Sequence, residues 1–172
     1  MNKIILLGYM GSGKSIVGGI LAAKINLPHI DLDQFIESQT NSSIKVLFEK
    51  KGEVFFRKIE HQILGEIIDS DAKIVLSLGG GTPCYSNNHK FLNKSGVVSF
   101  YLKASVATLT RRLTEGKNER PLISTLEGAD LPEFIAKHLF ERNYYYNLAD
   151  HTIAVDGKSA EEIVLEIQDF LI

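Results

Sequence analysis

At 172 residues, with 44% hydrophobic and 23% charged residues, the chain has the length and make-up of one globular domain with its own core. Nineteen Lys and Arg against 21 Asp and Glu leave a formal net charge of −2, too little positive charge to make nucleic acid the main partner. A single cysteine, Cys84, excludes an intrachain disulfide and a multi-cysteine zinc site and suits a reducing, cytoplasmic setting, and no run of about 18 apolar residues offers a membrane span.

The first apolar run, Lys3 to Gly8, is continuous rather than alternating, the pattern of a strand buried on both faces. It leads into Gly8-Tyr9-Met10-Gly11-Ser12-Gly13-Lys14-Ser15, in which a glycine and four further residues precede Gly-Lys-Ser. Glycines let successive backbone N–H groups turn inward around phosphate oxygens, and the helix that follows directs its positive end at the same anion. Lys14 would bridge the β- and γ-phosphates of a nucleotide, and Ser15 would offer its hydroxyl to Mg²⁺. A dinucleotide fingerprint is excluded, because no glycine follows Gly13 by three residues.

A second short strand, His29 to Asp31, ends in Asp31-Leu32-Asp33. If the chain stays extended, the two carboxylates point to the same side, where one could serve a metal and the other an acceptor hydroxyl. The competing reading makes Asp33 the cap of a helix beginning at Gln34. Phe55, Ile59, Ile63 and Ile67 then repeat every four residues on one helical face. The third strand, Lys73 to Leu78, runs into Gly79-Gly80-Gly81, a stretch able to bring backbone amides close to a ligand. Val97 to Leu102 reads as the fourth strand.

From Thr114 to Ala129 the chain is polar and aperiodic, with Gly116 and Gly128, and is expected to be a mobile lid. Asp130, Pro132 and Glu133 open a helix reaching about Ala149, Thr152 to Val155 forms the fifth strand, and Ser159 with Glu162 caps a last helix carrying Ile163, Ile167 and Leu171. Strands alternating with helices imply a parallel sheet covered on both faces, with ligands at the carboxyl ends of its strands. The five histidines have no metal spacing, Tyr144, Tyr145 and Tyr146 read as packing, and Cys84 as a small apolar residue.

Taken together, the phosphate loop with Met10, the Asp-x-Asp at 31 to 33, Phe56-Arg57 in a long helix, the triple glycine, Arg120-Pro121-Leu122, and Glu141-Arg142 followed by Tyr146, Ala149 and Asp150 resemble the shikimate kinases over nearly the whole chain. The resemblance implies a single P-loop kinase domain over residues 1–172, an α/β three-layer fold whose five parallel strands run in the order 2-3-1-4-5, with substrate-binding helices at about 33–68 and a lid at about 114–129. It implies ATP-dependent phosphorylation of the 3-hydroxyl of shikimate, in the route to chorismate and the aromatic amino acids, by a cytoplasmic monomer. It places Gly11, Ser12, Gly13, Lys14, Ser15, Ile16, Arg112 and Arg120 around ATP, with Arg112 near the adenine and Arg120 at the transferring phosphate. Ser15 and Asp31 would hold Mg²⁺. Asp33, Arg57, Gly79, Gly80, Gly81 and Arg142 would surround shikimate, the two arginines sharing its carboxylate, and Lys14, Asp33 and Arg120 would carry the chemistry. Tyr144 and Asn147 depart from the family's residues at their positions. Another small-molecule kinase, with gluconate or a nucleoside monophosphate as acceptor, and a nucleotide-binding module without catalysis are the alternatives.

Overall fold

Five parallel strands build the centre of the protein, seen in a computed structural model that describes residues 2–115 and 130–171. In chain order the elements are β1 (Lys3–Leu7), α1 (Lys14–Lys24), β2 (His29–Asp31), α2 (Leu32–Thr40), α3 (Ile44–Lys51), α4 (Glu53–Asp69), β3 (Ile74–Ser77), β4 (Val97–Lys103), α5 (Val106–Glu115), α6 (Asp130–Tyr146), β5 (His151–Ala154) and α7 (Ala160–Asp169). Two short 3₁₀ turns, Thr82–Cys84 and Asn88–Asn93, lie between β3 and β4. The sheet order is β2-β3-β1-β4-β5, as the resemblance implies.

Burial explains the strand sequences. β1 is the central strand, pairing with β3 through Leu6↔Ser77 and with β4 through Leu6↔Phe100. All five of its residues are buried, hence an unbroken Lys-Ile-Ile-Leu-Leu run in place of alternation. β5 lies at the edge, and only Ile153 of its four residues is buried. Lys3 is the apparent misfit in β1, but its ammonium donates to the carbonyl of Ser70 at 2.7 Å and to that of Ala72, just beyond the carboxyl end of α4. The buried charge thereby pairs with the carbonyl of the residue that caps α4 and with one in the turn that follows it.

Helix α1 is brought close to the sheet by Gly18. A Cβ there would stand 2.5 Å from His29 Nε2 and 2.6 Å from Ser77 Oγ. The close approach permits a hydrogen-bond chain in which Ser77 Oγ donates to the Lys14 carbonyl at 3.0 Å and lies 2.9 Å from His29 Nε2. The first turn of α1 is thus fastened to the ends of β2 and β3. At the other end of the chain, α7 carries the expected reciprocal cap: Ser159 Oγ accepts from Glu162 N at 3.2 Å, and Glu162 Oε2 accepts from Ser159 N at 2.7 Å. No helix among the described residues is long and apolar enough to cross a membrane. The lid expectation falls almost wholly outside the described residues.

Candidate active site

Four loops meet where β1, β2, β3 and β4 end. Gly8, Gly11 and Gly13 take φ values of 145°, 84° and 102°, in the region that disfavours any side chain. At Gly8 a Cβ would also stand 2.7 Å from the Leu102 carbonyl. The loop wraps onto Lys14, whose ammonium donates to the carbonyls of Gly8 at 2.9 Å and Tyr9 at 3.0 Å. Arg112, from α5, clamps the loop from outside by donating to the carbonyls of Gly11 at 3.1 Å and Ser12 at 3.2 Å.

A cleft of about 790 Å³ opens against this loop, lined by residues 10–17, Asp31, Asp33, Leu78, Gly79, Gly80, Arg112 and Glu115, and by Lys158, Ala160 and Ile163 from the end of the chain. The phosphate-loop residues from Met10 to Ser15 therefore face one space, while Gly8 and Tyr9 lie outside its lining. The two aspartates reach it differently from the extended geometry expected. Helix α2 starts at Leu32, and Asp31, not Asp33, is its cap, accepting from Gln34 N at 3.3 Å. The same Asp31 carboxylate accepts from Ser15 Oγ at 2.5 Å. Asp33, in the first turn of α2, lies against Gly79, where a Cβ would come within 2.8 Å of its Oδ1. Burial, with Asp31 and Glu60 nearby, pushes the Asp33 carboxyl up to about 6 against the opposing pull of Lys14 and Arg57.

The two arginines flank the glycines just beyond the cleft lining. A Cβ on Gly81 would stand 3.0 Å from Arg57 Nη2, and one on Gly80 would stand 3.7 Å from Arg142 Nη1. Arg57 is held firmly: its Nη1 donates to Glu60 Oε2 at 2.9 Å, and its guanidinium lies 3.8 Å from the Tyr85 ring centroid. Glu60 is 1% exposed and also accepts from Thr82 Oγ1 at 2.7 Å. Burial pushes the Cys84 thiol up to about 11, which keeps it neutral between these charges.

The shikimate kinase family model matches residues 10–172. The shikimate kinase of Flavobacterium psychrophilum is 52% identical over 171 residues, covering 99% of both chains. The chain belongs to the shikimate kinase family. Flavobacterium johnsoniae has a further shikimate kinase, 49% identical over 99% of both chains. Among solved structures, shikimate kinase from Bacteroides thetaiotaomicron superposes with a TM-score of 0.91 at 34% identity, covering 99% of this chain and 98% of the other. The enzyme from Acinetobacter baumannii, solved in complex with shikimate, gives 0.88 at 32% identity, covering 99% and 93%. As a member of the shikimate kinases, the chain is an ATP-using phosphotransferase.

Sequence reasoning missed some of what surrounds this shikimate kinase cleft. Glu60 sits three residues after Arg57, a spacing that on a surface helix means a weak exposed ion pair, and nothing in the sequence reveals its burial. The sequence suggests only packing for Tyr146, yet its hydroxyl donates to the Gly80 carbonyl at 2.5 Å and so helps fix the glycine turn. Lys158, Ala160 and Ile163 come from the far end of the chain and carried no motif. Arg120 lies outside the described residues.

Proposed function

We infer that this chain transfers the terminal phosphoryl group of ATP to the 3-hydroxyl of shikimate, with the phosphates on the loop from Gly11 to Ile16 and the acceptor between Asp33, Gly79–Gly81, Arg57 and Arg142. One observation supports this above others. A poorly solvated carboxylate, Asp33, shares a cleft with the phosphate-loop lysine, while two guanidiniums reach the adjacent glycines. Such an arrangement gives a hydroxyl acceptor somewhere to place its proton and an acceptor carboxylate two planar donor sets.

Lys14 neutralises charge on the β- and γ-phosphates, and the backbone N–H groups of the loop do the same without reorganisation. Asp33 accepts the proton of the attacking hydroxyl, or orients it, as the oxygen–phosphorus bond to the acceptor forms and the bond to ADP breaks. Arg112, which lines the cleft together with Lys158 and Ala160, is assigned to the adenine by the family resemblance. Ser15 and Asp31, a hydroxyl and a carboxylate side by side at the cleft wall, are the oxygen ligands a small hard cation takes. Mg²⁺ bound there would offset phosphate charge. Arg120 is assigned the transferring phosphate, and residues 114–129 the lid, by the family resemblance alone. Helices α2, α3 and α4, over about 33–68, form the acceptor-binding part of one domain, in an enzyme we read as a monomer.

The test is acceptor choice. With MgATP and, separately, shikimate, gluconate, AMP and CMP, ADP release is expected with shikimate and not with the others. Turnover of gluconate or a nucleoside monophosphate instead would replace the acceptor assignment, and nucleotide binding with no turnover would make the chain a binding module.

A further inference from the structure

Tyr9 touches both Lys14 and Arg142 and is part of neither set of residues assigned above. It is 1% exposed, and three parts of it are engaged. Its carbonyl accepts from Lys14 Nζ at 3.0 Å. Its ring lies under Arg142, with 5.5 Å from guanidinium carbon to ring centroid, inside the range of cation–π attraction. Its hydroxyl is hydrogen-bonded to His138 Nδ1 at 3.1 Å. His138 and Arg142 are four residues apart on α6 and so share a face, and the His138 ring is packed 4.2 Å from that of Phe134. Tyr146 is hydrogen-bonded to Arg142 as well, and it holds the Gly80 carbonyl while its ring packs 5.1 Å from Tyr101.

We propose that Tyr9 is a positioning residue for acceptor binding: its ring is the shelf that aims Arg142 at the acceptor, and its hydroxyl, through His138, holds α6 in place on the phosphate loop. The proposal rests on reading Arg142 as a donor to the acceptor carboxylate. An unsupported arginine would surrender several rotatable bonds on binding, whereas one already laid on an aromatic face has lost much of that freedom beforehand. The buried hydroxyl gives direction to the shelf, because a phenol with a hydrogen-bond partner holds one ring position better than an apolar ring of the same size.

Calorimetric titration of shikimate, with ADP titrated as the internal comparison, separates the possibilities. Tyr9→Leu removes shelf and hydroxyl and is expected to weaken shikimate binding about 10-fold. Tyr9→Phe keeps the shelf, is nearly isosteric, and should weaken it only about 3-fold. Both should leave ADP affinity within about 2-fold, since the loop's backbone groups meet the nucleotide. Arg142→Lys, which loses the planar donor fork, is the control on the underlying reading. If Arg142→Lys weakens shikimate binding and neither Tyr9 variant does, the shelf is wrong and the role of Arg142 stands. If Arg142→Lys changes nothing, the role of Arg142 fails and the shelf with it. Equal losses for ADP and shikimate in Tyr9→Leu would reduce Tyr9 to a support of the phosphate loop and overturn the proposal.

Discussion

Asp33 is the residue whose environment is most at odds with its charge. Its carboxyl titrates near 6 in the fold against 3.8 for the unperturbed group, so between those values the folded state holds the proton more tightly than the unfolded one. Stability therefore falls as pH rises through that window and stays lower above it, by about 2 kcal/mol after allowing for partial solvent screening. Asp33→Asn is expected to raise the melting temperature at pH 8, to leave it nearly unchanged at pH 3.5, and to abolish most turnover. A variant no more stable than wild type at pH 8 would contradict this account of the site. In the wild type, kcat/KM for shikimate should fall below about pH 6 as the base becomes protonated. Arg57 presents the converse case, because removing it leaves Glu60, 1% exposed, without its cation. Arg57→Ala should cost about 2 to 3 kcal/mol of stability besides weakening shikimate binding. Adding Glu60→Gln should restore much of the stability and none of the binding, a pattern that thermal melts and shikimate titrations on the single and double variants would reveal.

At the scale of elements, the site depends on how closely α1 approaches the sheet and on how α7 is started. Gly18→Ala would force its Cβ within 3 Å of His29 and Ser77, both of which tie the first turn of α1 to the strands. We expect about 2 kcal/mol of destabilisation and a several-fold loss of ATP affinity, because the amino end of α1 is the phosphate site. Ser159→Ala breaks the cap of α7 and should cost about 1 kcal/mol. It should leave shikimate affinity unchanged, since α7 meets the cleft only on the side of Lys158, Ala160 and Ile163. Urea denaturation and ligand titration of the two variants distinguish a helix that carries the site from one that borders it.

For the whole molecule, ligand binding and stability are linked. MgATP at 100 times its dissociation constant should stabilise the fold by about 2.7 kcal/mol, roughly 5–10 °C in melting temperature for a chain of this size. Chelation of the divalent ion should remove part of that gain. Asp31→Asn should raise the Mg²⁺ concentration needed to recover it while changing shikimate affinity little, because Asp31 meets Ser15 and Asp33 meets the glycine turn. Identical metal and shikimate profiles for Asp31→Asn and Asp33→Asn would show that the two carboxylates do not divide their work.

What the sequence determined by itself was whatever depends on neighbours along the chain. The continuous apolar run of β1, the glycines that admit positive φ, the Gly-Lys-Ser at the start of α1 and the Ser159–Glu162 cap are local devices, and each is found where its spacing placed it. The strand order and the family also followed from motifs spread along the chain. Tertiary structure decided the rest, because burial and electrostatic environment arise from residues far apart in sequence. Which aspartate caps α2 depended on where the chain leaves β2, and the sequence admitted the wrong one. The raised titration of Asp33 comes first from burial and then from Asp31 on β2 and Glu60 on α4, against the opposing pull of Lys14 on α1 and Arg57 on α4. Glu60 became an internal counter-ion only when Thr82 closed over it, and Tyr9 met Arg142 only when α6 packed on the phosphate loop, at separations in sequence that no periodicity spans.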